Sequence, residues 1–347
     1  MSARGAPADL ADSGRLGDWL REHVAGFRAP FTARQFAGGQ SNPTYLIDSA
    51  GGRFVLRRKP GGKLLPSAHA VEREYRIIAA LGGGQVPVPR AHALCEDDSV
   101  IGTAFYVMDY VEGRTFWDDS LPELPAAGRR PIFAELGRVL AELHAVDYGA
   151  LGLADYGKPG QYVERQVARW TKQYRASETE PIEAMDRLIE HLPRHIPASE
   201  APCLVHGDYR LDNVIFHARE PRILAVIDWE LSTLGEPLVE LAYLCMRWRM
   251  PASYRALGGL DLARLEIPSE AEMVADYCAR RGRAPLAPAV WAYYLAFNLF
   301  RLAAILQGVL ARALQGNASS ANALEMGRRA RTVAELGWQI GRECFES

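Results

Sequence analysis

Val205-His206-Gly207-Asp208-Tyr209-Arg210-Leu211-Asp212-Asn213 carries the skeleton H-x-D-x-x-x-x-N, and the apolar run Ile223-Leu224-Ala225-Val226-Ile227 then leads to Asp228. That spacing suits phosphoryl transfer. A carboxylate at Asp208 would accept the proton of an attacking hydroxyl, and oxygen donors at Asn213 and Asp228 would hold Mg²⁺. The chemistry dictates the residue types. Catalysis of this step is mostly positioning and charge neutralisation, and a hard cation needs hard oxygen ligands. A surface hairpin bearing polar side chains is the competing reading. The complete spaced set, with apolar runs on both sides, favours the phosphotransfer site.

Such residues need a frame. Val214-Ile215-Phe216 and Ile223 to Ile227 read as two strands joined by a turn at Glu220-Pro221-Arg222. Upstream, Arg53 to Arg58 reads as a strand with Phe54 and Leu56 on one face, Val55 and Arg57 on the other. Arg57 is the candidate cation for nucleotide phosphates, with Arg58 and Lys59 as alternatives. The apolar spacing predicts a helix over 68–81 carrying Glu72 and Glu74, of which Glu74 is the expected partner of the strand cation. The loop holding Gly39, Gln40, Ser41 and Asn42 could bring backbone N–H groups to phosphates. The strand from Phe105 to Val111 is followed by a turn; it reads either as a hinge whose backbone from Met108 to Tyr110 would hold adenine or as an ordinary core strand and turn. Beyond it the periodicity is helical, over 130–145, 162–174, 181–192, 235–244, 269–281, 289–312 and 321–345. A further short helix opens the chain over 15–24, and Ser269 with Glu272 forms a capping box. The division falls at a first lobe of 1–111 and a second of 112–347.

The 347 residues hold 40 Lys and Arg against 42 Asp and Glu, interspersed and without a basic stripe, so no nucleic-acid partner is expected. Five scattered cysteines without a C-x-x-C pair read as buried thiols in a reducing compartment, not as disulfides or a zinc site. No signal-peptide core and no apolar run of bilayer length stands out, so the expectation is a soluble cytoplasmic protein with no membrane partner.

Together these stretches resemble the aminoglycoside phosphotransferase family, in the protein-kinase-like superfamily that includes choline kinases. More narrowly they are similar to the branch fused to, or found beside, acyl-CoA dehydrogenases. The stretches that carry the resemblance are 38–45, 56–60, 64–75, His206 to Asn213, Ile227 to Glu230 and Leu234 to Pro237. It implies an α+β, two-lobed protein-kinase-like fold, with a small antiparallel β-sheet and one helix in the N-lobe and a larger, mainly α-helical C-lobe. It implies ATP or GTP and Mg²⁺ as well. Asp208 takes the catalytic-base position, Asn213 and Asp228 the metal positions, Arg57 the phosphate-contacting position and Glu74 that of its helix partner. Where many relatives have Asp, this chain has Glu236 and Glu240; Glu240 reads either as a buttress hydrogen-bonded to the catalytic-loop backbone or as simple capping and dipole complementation of its own helix.

The acceptor expected from the branch is a small-molecule hydroxyl, a hydroxyacyl-CoA or hydroxy acid in fatty-acid or hydroxy-acid catabolism, with an acyl-CoA dehydrogenase acting alongside. The residues offer a separate pointer. Arg247, Trp248 and Arg249 share one segment, and Phe297 and Arg301 stand at i,i+4 in another, with surface salt bridges and core aromatics as the competing reading. Arginine forks suit phosphate or carboxylate, and aromatic faces suit an adenine ring or acyl chain. An antibiotic (aminoglycoside-like) or amino-alcohol kinase would share the chemistry and differ in acceptor. A non-catalytic nucleotide-binding scaffold would be expected to lack Asp208 or a metal ligand.

Overall fold

A computed structural model describes residues 4–5, 10, 14–36, 42–60, 70–317 and 322–346. The chain forms two compact units. One is Met1–Thr115 with Gly149–Leu153 and Asn213–Ser232; the other is Phe116–Tyr148 with Ala154–Asp212 and Thr233–Ser347.

The first unit is built on a six-stranded antiparallel sheet. Its spatial order is Arg4–Gly5, Phe31–Gln35, Thr44–Ser49, Gly52–Arg58, Phe105–Asp109, Ala91–Cys95. The expected alternation is present. Phe54 and Leu56 are buried with Tyr45, Ile47 and Val107 in a core that includes Leu16 and Leu20 of the helix Gly14–His23. Arg57 projects from the opposite face, where the helix Val71–Leu81 packs on the strands Ala91–Cys95 and Phe105–Asp109. That helix buries Val71, Ile77, Ile78 and Leu81, an apolar stripe at helical spacing that fixes its rotation and turns Glu74 inward. Each such side chain, fully buried, contributes about 1.5–3 kcal/mol, enough to carry a carboxylate into the interior with it. Ala91–Cys95 has no strand signature of its own. It is alanine-rich, and its pairing with Phe105–Asp109, through a bulge between Ala91 and Ala93, makes it a strand.

The hairpin of Val214–Phe216 and Ile223–Val226 belongs to this unit. Val226 N–H donates to the Pro87 carbonyl at 2.8 Å, and Arg114 N–H donates to the Phe216 carbonyl at 2.9 Å. Gly113 permits that second approach, because a Cβ there would lie 2.2 Å from the Phe216 oxygen. A division at 111/112 therefore does not coincide with the units: residues as far along as Ser232 group with the sheet. Backbone hydrogen bonds across a hundred residues of sequence leave no local signal.

The second unit is mainly helical. Its centre is the helix Pro288–Leu314, against which Ala330–Phe345, Ala323–Arg328, Tyr162–Ser177 and Pro237–Cys245 pack. Contrary to the sequence reading, this helix has the length and apolar composition to cross a bilayer, yet 72% of its most apolar window is buried inside the fold. Neighbours on several sides make a core helix apolar nearly all round. The Ser269 capping box opens the helix Glu270–Arg280, which packs on Arg129–Ala145. The closing segment, expected as one helix, is two, Ala323–Arg328 and Ala330–Phe345. A two-stranded ribbon, Cys203–Val205 with Thr233–Gly235, completes the unit.

Candidate active site

Cys203–Val205 is wholly buried, so the chain leaves the core at His206 in a fixed direction. Gly207 then adopts φ +87°, a conformation that costs glycine little. Glu240, in the first turn of Pro237–Cys245, brackets this turn. Its Oε2 accepts the His206 N–H at 2.9 Å and its Oε1 the Gly207 N–H at 2.5 Å. His144 Nε2 lies 3.0 Å from the same carboxylate, and its Nδ1 lies 2.6 Å from the Tyr277 hydroxyl. From the other side Arg301 Nη2 donates to the Gly207 carbonyl at 3.0 Å. Burial pushes the Glu240 carboxyl up, but the donors from His144 and His206 outweigh it and hold the group below its ordinary value. Glu240→Ala is expected to cost about 3–5 kcal/mol of stability, because it strands buried donors that the carboxylate now satisfies. Urea unfolding measures this, and a loss under about 1 kcal/mol would remove the bracket role.

Within the loop, Asp208 N–H donates to His206 Nδ1 at 3.2 Å. The Tyr243 hydroxyl donates to Asp208 Oδ1, and Arg210 Nε stands 3.5 Å from the same oxygen. Arg210 Nη2 binds Asp212 at 2.7 Å. Burial raises the Tyr243 phenol, which keeps it protonated and a donor. The carboxylate of Asp208 is thus held by a phenol and flanked by a guanidinium.

In the first unit, Arg57 gathers three carboxylates. Its Nε lies 2.9 Å from Glu74 Oε2, and its Nη2 is 2.6 Å from Asp228 Oδ1 and 3.4 Å from Glu230 Oε2. Tyr106 donates its hydroxyl to Glu74 Oε2 at 3.2 Å. Burial works against the Arg57 charge, but Glu74 and Asp228 outweigh it and raise the guanidinium further, so it stays cationic. Burial pushes the Glu74 carboxyl up to about 7 against the pull of Arg57. Lys59 pairs instead with Glu72 at 2.9 Å. Asp228 adopts φ +67°, a left-handed backbone that Asp tolerates better than most residues and that concentrates at functional sites. The Asn213 carbonyl accepts the Ile227 N–H at 2.9 Å, so the hairpin brings Asn213 beside the segment that ends in Asp228. An amide and a carboxylate are hard oxygen donors that fit Mg²⁺.

The other expected residues fall in different places. Gly39, Gln40 and Ser41 lie outside the described residues. Asn42 is buried and donates to Glu74 Oε1 at 2.6 Å. Met108 sits in the sheet opposite Val55, and Tyr110 lies under the Arg53 guanidinium at 4.6 Å. Trp248 is buried, with its indole N–H on the Pro268 carbonyl at 2.7 Å and its ring against Phe133. Arg249 pairs with Glu270. Arg247 binds Asp119 at 2.5 Å and lines a cavity of about 130 Å³. Arg301, besides holding the loop, stacks over the Tyr243 ring at 5.3 Å. Glu236 supports a different segment from Glu240, accepting from Ser199 at 3.0 Å and the Glu200 N–H at 3.1 Å. Sequence reasoning missed Tyr243, His144 as the prop of Glu240, and Tyr277. Their partners stand 35, 96 and 133 residues away, beyond any motif.

Residues 32–305 match the model of the phosphotransferase enzyme family. Acyl-CoA dehydrogenase family member 10 of Mus musculus is 50% identical over 314 residues, covering 90% of this chain and 29% of that protein. The chain spans less than half the length of the curated relatives it matches. A solved structure from Ralstonia eutropha, named for an aminoglycoside phosphotransferase, is 51% identical with a TM-score of 0.87, covering 96% of this chain and 98% of that one. A thermostable mutant of an aminoglycoside phosphotransferase, solved with AMP-PNP and hygromycin B, shares the fold at 16% identity, with a TM-score of 0.62 and coverage of 94% and 99%.

Proposed function

Because the chain belongs to the phosphotransferase enzyme family, we propose that it transfers the terminal phosphoryl group of ATP or GTP to the hydroxyl of a hydroxyacyl-CoA or the parent hydroxy acid. The acceptor oxygen bonds to the γ-phosphorus as the bond from that phosphorus to the bridging oxygen breaks. The nucleoside diphosphate leaves, and Asp208 takes the hydroxyl proton. Arg57, steadied by Glu74, contacts the phosphates. Asn213 and Asp228 would hold Mg²⁺, which supplies charge neutralisation at the phosphates when bound.

The observation that carries the acceptor reading is the cavity beside Asp208. Tyr243 and Arg210, which both touch the Asp208 carboxylate, line it together with methionine and leucine side chains. Among the described residues no carboxylate lines it, and its arginines are paired with acidic partners outside the lining. A polycationic aminoglycoside or an amino alcohol calls for carboxylates there. The names of the mouse and rat relatives, acyl-CoA dehydrogenase family members, support an acyl-CoA acceptor and a dehydrogenase acting alongside. The retained Asp208, Asn213 and Asp228 speak against a non-catalytic scaffold. The buried thiols of Cys95, Cys203, Cys245 and Cys278 suit a reducing compartment such as the cytoplasm.

The test is ADP release with Mg-ATP against hydroxyacyl-CoAs, free hydroxy acids, choline and aminoglycosides, repeated with Mg-GTP. Turnover is expected with the CoA esters or the hydroxy acids. Turnover confined to the cationic acceptors would sink the reading.

A further inference from the structure

We propose that the cavity beside Asp208 seats the alkyl segment of the acceptor that extends beyond its hydroxyl, and that it covers about five carbons of this segment. The inference rests on the hydroxyl-acceptor reading and goes further, because it assigns a binding site and the length of chain that the site covers.

Tyr243 donates to Asp208 Oδ1 and Arg210 stands 3.5 Å from that oxygen; both are also cavity walls. A hydroxyl placed at Asp208 therefore has its neighbouring carbon at the cavity mouth.

Wall chemistry selects the occupant. Met246, Met250, Leu302, Leu306 and Met326 supply the apolar lining. Methionine is unbranched and flexible, so its side chains conform to an alkyl chain rather than to one rigid shape. The arginines of the lining are already matched. Arg247 binds Asp119 at 2.5 Å and the Arg255 carbonyl at 2.7 Å. Arg210 binds Asp212 at 2.7 Å, and Arg329 binds Glu325 at 2.9 Å while stacking on Tyr254 at 4.5 Å. Matched guanidinium heads leave their aliphatic stems as wall. The cavity thus suits an uncharged chain, and the anionic end of the acceptor lies elsewhere.

Volume sets how much of the chain is covered. A cavity of about 150 Å³ accommodates the six carbons of benzene. The cavity here is about 130 Å³, which corresponds to roughly five carbons by the same proportion.

The experiment has two arms, each run on the wild-type chain and on Leu302→Trp and Met326→Trp. Met326 is 42% exposed, so the second variant is expected to fold even if the first does not. In the first arm, kcat/KM is measured with Mg-ATP for hydroxyacyl-CoAs bearing increasing numbers of carbons beyond the hydroxyl. The wild type is expected to gain about fourfold per methylene, as for a buried CH₂, until about five carbons and then stop gaining. The variants are expected to stop gaining at a shorter chain. In the second arm, calorimetry follows 1-alkanols from butanol to octanol, with no turnover involved. Wild-type affinity is expected to break at the same length, and the break to shift in the variants.

Hydroxyacyl-CoA turnover with no dependence on tail length would overturn the inference and leave the proposed function standing. Alkanol affinities identical in all three proteins would also overturn it. Absence of turnover with both the hydroxyacyl-CoAs and the parent hydroxy acids, with a variant-sensitive alkanol break intact, would end the proposed acceptor and keep the cavity assignment.

Discussion

Asp208→Asn is expected to lower kcat by on the order of 10²-fold or more, the range that loss of a general base produces, while nucleotide binding changes little. The substitution is nearly isosteric. An asparagine side-chain oxygen can still accept the Tyr243 hydroxyl that now binds Asp208 Oδ1, and the Asp208 backbone N–H keeps its bond to His206. The loop itself is held through the backbone of His206 and Gly207 by Glu240 and Arg301. What the variant loses is the basic oxygen, so the deficit should appear in kcat with a nearly unchanged KM for nucleotide. Steady-state kinetics with a saturating acceptor, alongside a thermal melt, measure both. Turnover within a few-fold of wild type would remove Asp208 from the base role.

Asp228→Ala should abolish Mg²⁺-dependent turnover, and its effect should be the larger of the two. Two roles meet on this carboxylate. It is an oxygen donor suited to Mg²⁺, and its Oδ1 accepts from Arg57 Nη2 at 2.6 Å. Without it the cation loses its main anion, and Arg57, the proposed phosphate contact, keeps Glu74 at 2.9 Å and Glu230 at 3.4 Å. Nucleotide affinity should therefore weaken in the presence of Mg²⁺ more than in its absence. Isothermal titration with ATP, with and without the metal, separates the two roles. Unchanged Mg-ATP affinity and activity would show that Asp228 does not hold the metal. A loss of affinity equal in both titrations would assign Asp228 to positioning Arg57 alone.

The sequence by itself determined the reaction class and the frame of local elements. H-x-D-x-x-x-x-N and the distant Asp are contiguous motifs, and phosphoryl transfer constrains their residue types. Helices and paired strands with regular apolar spacing were legible because 3.6 and 2 are local periods. Burial by alternation even placed Arg57 on the face opposite Phe54 and Leu56. Two kinds of fact were out of reach. One is pairing at long range. The Arg57–Glu74 pair was legible, but that Arg57 also takes Asp228 while Lys59 takes Glu72 depends on where the helix Val71–Leu81 sits on the sheet. The same dependence made a strand of the alanine-rich Ala91–Cys95 and drew 213–232 into the first unit. The other is what each buried polar residue is for. Glu236 and Glu240 look alike in sequence, four residues apart, yet one holds the segment at 199–200 and the other brackets the loop that carries Asp208. Arg247, Trp248 and Arg249 are consecutive, yet one lines the cavity, one is core and one pairs on the surface with Glu270. A side chain's identity is local, but its partner is set by helix rotation and by what the packing brings within 3 Å, and only the tertiary structure decides that.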